Sequence, residues 1–270
     1  MGEPEGSTME FRVLGALDVR SDGTRLDLGG LTRRAVLGYL LLHDNQVVAA
    51  SRIREALWPE GPPPTARKIV QNAVSALRKT LAHSNSDTGG PALLTQVPGY
   101  ILRVDPTAVD LNHFRLLAGQ GRTALRAGAI DCARERLRAA IGIWSGAALA
   151  DLVEAGLGWS ELTALEDERL NAYEDCLEAE LADGRHREIT PELELLTATA
   201  PLREGFHRQY MLALYRSGRQ AEALRVYQRS RAALVEHLGI EPGRDLQRLL
   251  RLILAQDSSL QTAQLVRPTA

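Results

Sequence analysis

The residues of this chain that could do chemistry are few, and most do not converge. There is no GxxxxGK[ST] phosphate loop, no GxGxxG, no HExxH and no GxSxG. The six histidines, at 43, 83, 113, 186, 207 and 237, lack the spacing of metal ligands. Cys132 and Cys176 make no CxxC pair; one disulfide is formally open to them, but the reading is two reduced thiols. Carboxylates crowd residues 161–180, at helical spacing among Leu162, Leu165, Arg169 and Leu170, as on a solvated acidic face. No enzyme, cofactor or metal is expected. One constellation has a chemistry: Lys68, Gln71, Asn72, Ser75 and Lys79, flanked by Arg67 and Arg78. Gln and Asn pair bidentately with adenine in the major groove, and Arg or Lys with guanine. Basic side chains also anchor to phosphates without reading sequence. Ordinary solvation gives helices a polar face too, so the surrounding elements carry the decision.

Those elements begin with alternation. Phe11, Val13 and Leu17, Val19 sit in short β-like segments, with a turn at Ser21-Asp22-Gly23-Thr24, which predicts a small antiparallel sheet. A helix follows from Leu31 to His43, burying 36, 37, 40 and 41 and ending at Asn45. Ser51 is placed to cap a short helix through Trp58. The run Pro59-Glu60-Gly61-Pro62-Pro63-Pro64 cannot be helical and predicts a stiff, exposed loop, anchored by Trp58 and preorganised for a protein contact. Thr65 would cap a helix over 66–82 whose apolar stripe is Val70, Val74, Leu77 and Leu81, opposite the amide-rich face. A polar loop over 83–91 leads to a hairpin, Leu93–Gln96 and Tyr100–Val104, turning at Val97-Pro98-Gly99-Tyr100 as a type II turn. Sheet, helix, short helix, loop, long helix, hairpin is the order of a winged helix-turn-helix, with the long helix as reader. Arg33 and Arg34 open the first helix and Arg103 lies on the hairpin, placed for phosphates. A cation at a helix start is disfavoured by the dipole, so an anion is expected near Arg33 and Arg34.

The whole chain of 270 residues has a net charge of -2, which obscures an asymmetry. Residues 9–105 hold 12 Arg and Lys against 9 Asp and Glu, and residues 110–255 hold 19 against 22. The longest apolar run, 35–42, is far shorter than the roughly 20 residues of a membrane span. With no leader-like start, a cytoplasmic, nucleoid-associated protein without membrane contact is expected. Beyond Asp110 the β pattern vanishes, and helices are predicted over 110–127, 130–144, 158–183, 186–199, 203–217, 219–238 and 243–255. Gly184-Arg185 and Gly218-Arg219 recur with a lag of 34, and Leu125-Arg-Ala-Gly128 is a weaker third copy. That lag is the period of tetratricopeptide helix pairs, each glycine ending one helix before its partner folds back. The expected fold is mainly α: a winged helix-turn-helix with small antiparallel sheets over 9–105, then an all-α tetratricopeptide-like domain over 110–256. Residues 1–8 would form a disordered tail and 257–270 a polar one.

These stretches resemble the Streptomyces antibiotic regulatory proteins: FRVLGALDV (11–19), RRAVLGYLLLH (33–43), REALWPEGPPPTARKIVQNAVSALRKTL (54–81), VPGYILRVDPTAVDLNHF (97–114) and LGIEPGRDLQRLLRLIL (238–254). The resemblance implies an OmpR-type winged helix followed by a bacterial transcriptional activation domain, here in a small stand-alone member. It implies activation of antibiotic gene clusters from direct repeats in double-stranded DNA that overlap the promoter −35 element. Two or more protomers would sit side by side and recruit RNA polymerase holoenzyme through its σ factor. It places Gln71, Ser75 and Arg78 in the reader and Tyr100 in the wing, and makes Trp58, Pro59, Glu60, Gly61, Pro62 and Pro63 the expected polymerase contact. Ala76 stands where relatives often have Arg after the reader Ser, and Ala73 where many have an aromatic or His, so base preference does not carry over. The rival reading is a tetratricopeptide-type scaffold that uses the winged domain only for docking; a scaffold has no need of the basic, amide-rich face at 67–79.

Overall fold

A computed structural model describes residues 9–82 and 90–261; the predicted tail over 1–8, most of the 83–91 loop and residues 262–270 of the final tail lie outside them. The chain forms two compact units, Met1–Leu117 with Ala139–Arg169, and Ala118–Arg138 with Leu170–Ala270. The first unit carries the winged helix.

Three antiparallel strands open it: β1 (Met9–Arg12), β2 (Asp18–Ser21) and β3 (Thr24–Arg25). Phe11 pairs with Val19, both buried. Asp22 and Gly23, with φ of 50° and 76°, make the two-residue turn expected at 21–24; positive φ at both centres matches the twist of a tight hairpin. Val13 and Leu17, expected in strands, lie outside them. Their backbone donors are taken by carboxylates instead: Asp110 accepts from Val13 N and Leu14 N at 2.9 and 3.0 Å, and Asp151 from Leu17 N at 2.6 Å. Burial pushes the Asp110 carboxyl upward, against those amide bonds that hold it down.

Next come α1 (Leu31–Leu41), β4 (Val47–Ala49), α2 (Ala50–Leu57), α3 (Ala66–Ala82), β5 (Ala92–Gln96) and β6 (Gly99–Arg103). The second sheet is antiparallel in the order β4-β6-β5. The predicted stripe of α3, Val70, Val74, Leu77 and Leu81, is buried throughout. At about 1.5–3 kcal/mol for each fully buried side chain, that stripe fixes which face of α3 is left for solvent. Asn45, at φ 58°, ends α1's region and pins it to the wing strand: its amide donates to Val104 O at 3.0 Å and accepts from Val104 N at 3.2 Å.

Three local expectations change. Ser51 is an exposed residue inside α2 and does not cap it; Ala49 of the unforeseen strand β4 holds that position, and Ala50 N bonds Pro98 O at 3.3 Å. The wing turns one residue earlier than a type II turn over 97–100 would, through Val97 and Pro98, joined by a cis bond. Gly99 already belongs to β6, where β4 passes so close that a Cβ would overlap Val48 O.

The remaining helices are α4 (Asp110–Arg126), α5 (Ile130–Gly142), α6 (Ala150–Glu154), α7 (Ser160–Ala182), α8 (Thr190–Thr199), α9 (Glu204–Arg216), α10 (Gln220–Leu238) and α11 (Arg244–Leu254). The five-residue α6 had no counterpart in the sequence pattern. The helix expected from 186 starts at Thr190, because Pro191 fits only the first helical positions. The repeat is repeated in its hydrogen bonds. Gly128, Gly184 and Gly218 take φ of 76°, 79° and 79°. The next residue each time donates to the carbonyl five back: Ala129 to Ala124, Arg185 to Glu180, Arg219 to Leu214, all at 2.9–3.0 Å. This Schellman closure satisfies a helix-end carbonyl and turns the chain. Ala133, Ile189 and Ala223, each five residues beyond its glycine, are buried. The second unit's core joins Leu193, Phe206, Met211, Leu214, Val226, Leu246 and Ile253.

Candidate nucleic-acid interface

The candidate residues lie within the first unit, on α3, the wing hairpin and the start of α1. On α3, Arg67, Lys68, Gln71, Asn72, Ser75 and Lys79 are exposed, on the face away from the buried stripe. Among the described residues Arg67 and Lys68 have no carboxylate at ion-pair distance, and neither have Arg33 and Arg103, which are also exposed. These four cations are therefore electrostatically available to an external anion. The three polar side chains between them, Gln71, Asn72 and Ser75, offer donors and acceptors in the combination that base edges require.

Three other expected contacts are placed differently. Arg78 is only half exposed and ties the reader to the wing: Nε donates to Leu93 O at 2.6 Å and Nη2 to Thr95 Oγ1 at 2.7 Å. Arg34 is ion-paired with Asp151, whose other oxygen holds Leu17 N. The anion that the helix dipole demands near this cation is thus supplied from inside the unit. Tyr100 lies in the central strand of its sheet, between Val48 and Thr95, and is only 9% exposed. A residue at such a position packs both sheet neighbours, which keeps it from presenting its ring to a ligand. Opposite it in effect is Val97, 91% exposed at the tip of the wing; no sequence signal separated it from the other turn residues.

The loop between α2 and α3 has the expected irregular course. Trp58 is half-buried and ends α2, its carbonyl accepting from Gly61 N at 3.1 Å, while Pro63 O accepts from Ala66 N at 2.9 Å as α3 begins. Pro59, Glu60, Gly61 and Pro62 are exposed and Pro63 is half-buried. Two residues that sequence reasoning did not single out hold this region. Trp159 donates from Nε1 to Ala56 O at 3.0 Å and meets Tyr39 edge-on at 5.1 Å. Glu161 accepts from the Tyr39 hydroxyl at 3.2 Å and lies 3.3 Å from His43 Nε2. Burial alone would raise the Glu161 carboxyl, but its own backbone N–H, Ser160, His43 and Tyr39 together hold it below the usual value. Such a partner is a property of three-dimensional packing, and neither Trp nor Glu advertises it by type or spacing.

Among the described residues no His, Cys, Asp or Glu cluster could hold a metal ion, and no helix is long and apolar enough to cross a membrane. Cys132 and Cys176 are both free thiols. Cys176 is buried, which pushes its thiol up to about 12.

Known proteins share this arrangement over nearly its full length. Residues 109–254 match the bacterial transcriptional activator domain. Regulatory protein DnrI of Streptomyces peucetius is 36% identical over 257 residues, covering 93% of this chain and 94% of its own. The chain belongs to the Streptomyces antibiotic regulatory protein family. Another relative, regulatory protein AfsR of Streptomyces coelicolor, is 39% identical over 96% of this chain, which spans 25% of that protein's length. Mycobacterium tuberculosis EmbR, solved in complex with a low affinity phosphopeptide, superposes with a TM-score of 0.85 at 34% identity. That match covers 94% of this chain and 68% of EmbR's. The family's members named here are regulatory proteins, so the chain is read as a DNA-binding transcription regulator and not as an enzyme. The winged helix followed by tetratricopeptide-like helices is the architecture that this superposition with EmbR covers.

Proposed function

We propose that the protein is a sequence-specific transcriptional activator of secondary-metabolite genes, reading direct repeats that overlap a promoter −35 element. One observation carries the reading: α3 turns Gln71, Asn72 and Ser75, bordered by Arg67, Lys68 and Lys79, outward on a helix whose opposite face is fully buried. The three polar side chains read base edges in the major groove, and the bordering cations hold phosphates on either side. Arg33 and Arg103 add phosphate contacts from α1 and the wing. Arg34, Arg78 and Tyr100 serve the interface from behind, as the ion pair, the reader–wing tie and the strand packing that keep it rigid.

The loop of Trp58, Pro59, Glu60, Gly61, Pro62 and Pro63 meets RNA polymerase holoenzyme at its σ factor. Its proline content keeps the ordering entropy of such a contact low. Protomers lie side by side on one face of the duplex, which sets the repeats about 10–10.5 bp apart, one helical turn. Mobility shift on genomic promoter fragments followed by footprinting tests the reading. Protection of two repeats at that spacing supports it; failure to shift any promoter fragment at low salt leaves the docking-scaffold reading in its place.

A further inference from the structure

The helical unit holds a cavity whose lining differs in chemistry from the exposed face of α3. Helices α8, α9 and α10 border an open cavity of about 460 Å³. Leu214 and Val226 back it from the core, both almost fully buried. Its rim carries Glu194, the buried Tyr210, and the exposed Arg225 and Arg229. Arg219 and Glu222, also on the rim, satisfy each other through two bonds of 2.7 Å. That leaves Arg225 and Arg229, one helical turn apart on α10, and among the described residues neither has a carboxylate at ion-pair distance. Like charges at i and i+4 repel, so the empty groove carries an electrostatic cost that an anionic ligand removes.

We infer that this groove binds an acidic peptide segment of a partner protein, its carboxylates on Arg225 and Arg229 and its chain laid along the groove bordered by α8, α9 and α10. A nucleic-acid backbone fits less well. Glu194 and Glu222 line the same cavity and would repel a continuous run of phosphates, whereas a peptide can place donors opposite Glu194. The site goes beyond the promoter-binding reading and does not depend on it.

The test is fluorescence polarisation of the full chain with a fluorescein-labelled peptide of alternating Asp, Glu and Leu. The same peptide with Asn and Gln in place of the acids is the control. The wild type binds the acidic peptide, the neutral one at least about tenfold more weakly, and R225E/R229E loses about tenfold or more of its affinity for the acidic one. Both substituted side chains are exposed, so circular dichroism of the variant matches wild type, and its affinity for promoter DNA is unchanged. Absence of acidic-peptide binding, equal binding of the neutral peptide, or full binding by R225E/R229E overturns the assignment. A variant that loses promoter affinity instead makes the two arginines DNA contacts, which also overturns it.

Discussion

Gly99 lets the wing strand β6 run close against β4 and the start of α2, and its replacement by alanine has a calculable cost. A Cβ there would overlap Val48 O and lie 2.7 Å from Ala50 N and 2.8 Å from Ala49 Cα. All three neighbours are backbone, so no side chain can swing aside. Either β4 leaves β6, or the strands stay paired under strain. Separation breaks the ladder that pairs Val47 with Ile101, Val48 with Tyr100 and Ala49 with Gly99. Separation costs two or three ladder bonds at about 1 kcal/mol each and strain costs about 1–3 kcal/mol as overpacking, so either route puts Gly99→Ala at about 1–3 kcal/mol. Because Ala49 precedes α2 directly, the damage also frees the N-terminus of that helix. Urea unfolding followed by tryptophan fluorescence measures it, since Trp58, Trp144 and Trp159 all belong to the same unit as Gly99. A loss smaller than about 1 kcal/mol would refute the close approach of β4 and β6 as the reason for glycine at this position.

Arg33→Ala and Arg103→Ala should each weaken binding to all DNA sequences evenly and reduce the slope of log affinity against log salt by about 0.9; titrations at several salt concentrations check this, and a change at one base pair only would contradict it. Trp159→Phe keeps the ring against Tyr39 but removes the 3.0 Å bond to Ala56 O, so urea unfolding should show a loss of about 1 kcal/mol; an unchanged midpoint would mean the bond contributes nothing. Burial lowers the His207 imidazole below its ordinary 6.5, helped by the charge of Arg229 and opposed by the bond from Nε2 to Pro201 O at 2.9 Å; the buried Nδ1 has no partner for a second proton. The unfolded chain therefore takes up protons more readily, and stability present above pH 6.5 is lost as the pH falls below it. His207→Gln should flatten that decline in a pH series of melting temperatures, and an identical decline in both proteins would assign it to other groups.

What the amino-acid sequence shows by itself depends on whether the signal is local. The stripe Val70, Val74, Leu77 and Leu81 could be read because helical periodicity is a property of the segment itself. The three glycine turns of the repeat were equally visible, since Gly128, Gly184 and Gly218 recur in similar sequence and end their helices the same way. The strand β4 was not, because three residues, Val47–Ala49, carry too short a pattern and exist as a strand only through β6. The cap expected at Ser51 failed for the same reason. Within the interface, residue type and spacing found the outward face of α3, but could not divide the cations by partner. Arg33 and Arg34 are adjacent and chemically alike, yet only Arg34 meets Asp151, 117 residues away in sequence. Tyr100 carries no mark in sequence of being a central-strand residue, and Trp159 none of reaching Ala56. Long-range pairing decides which polar groups are already satisfied, and only what remains is available for a ligand.

The division between base-reading and phosphate-holding residues is the centre of this account, and Gln71 tests it most directly. Affinities of the wild type and Gln71→Ala are measured over a set of operators in which each base pair is varied in turn. The account predicts a loss of about 1–3 kcal/mol on the native operator, with discrimination relaxed at one base pair and retained at the others. Equal weakening on every operator, or no change on any, would contradict a reading role for the exposed face of α3.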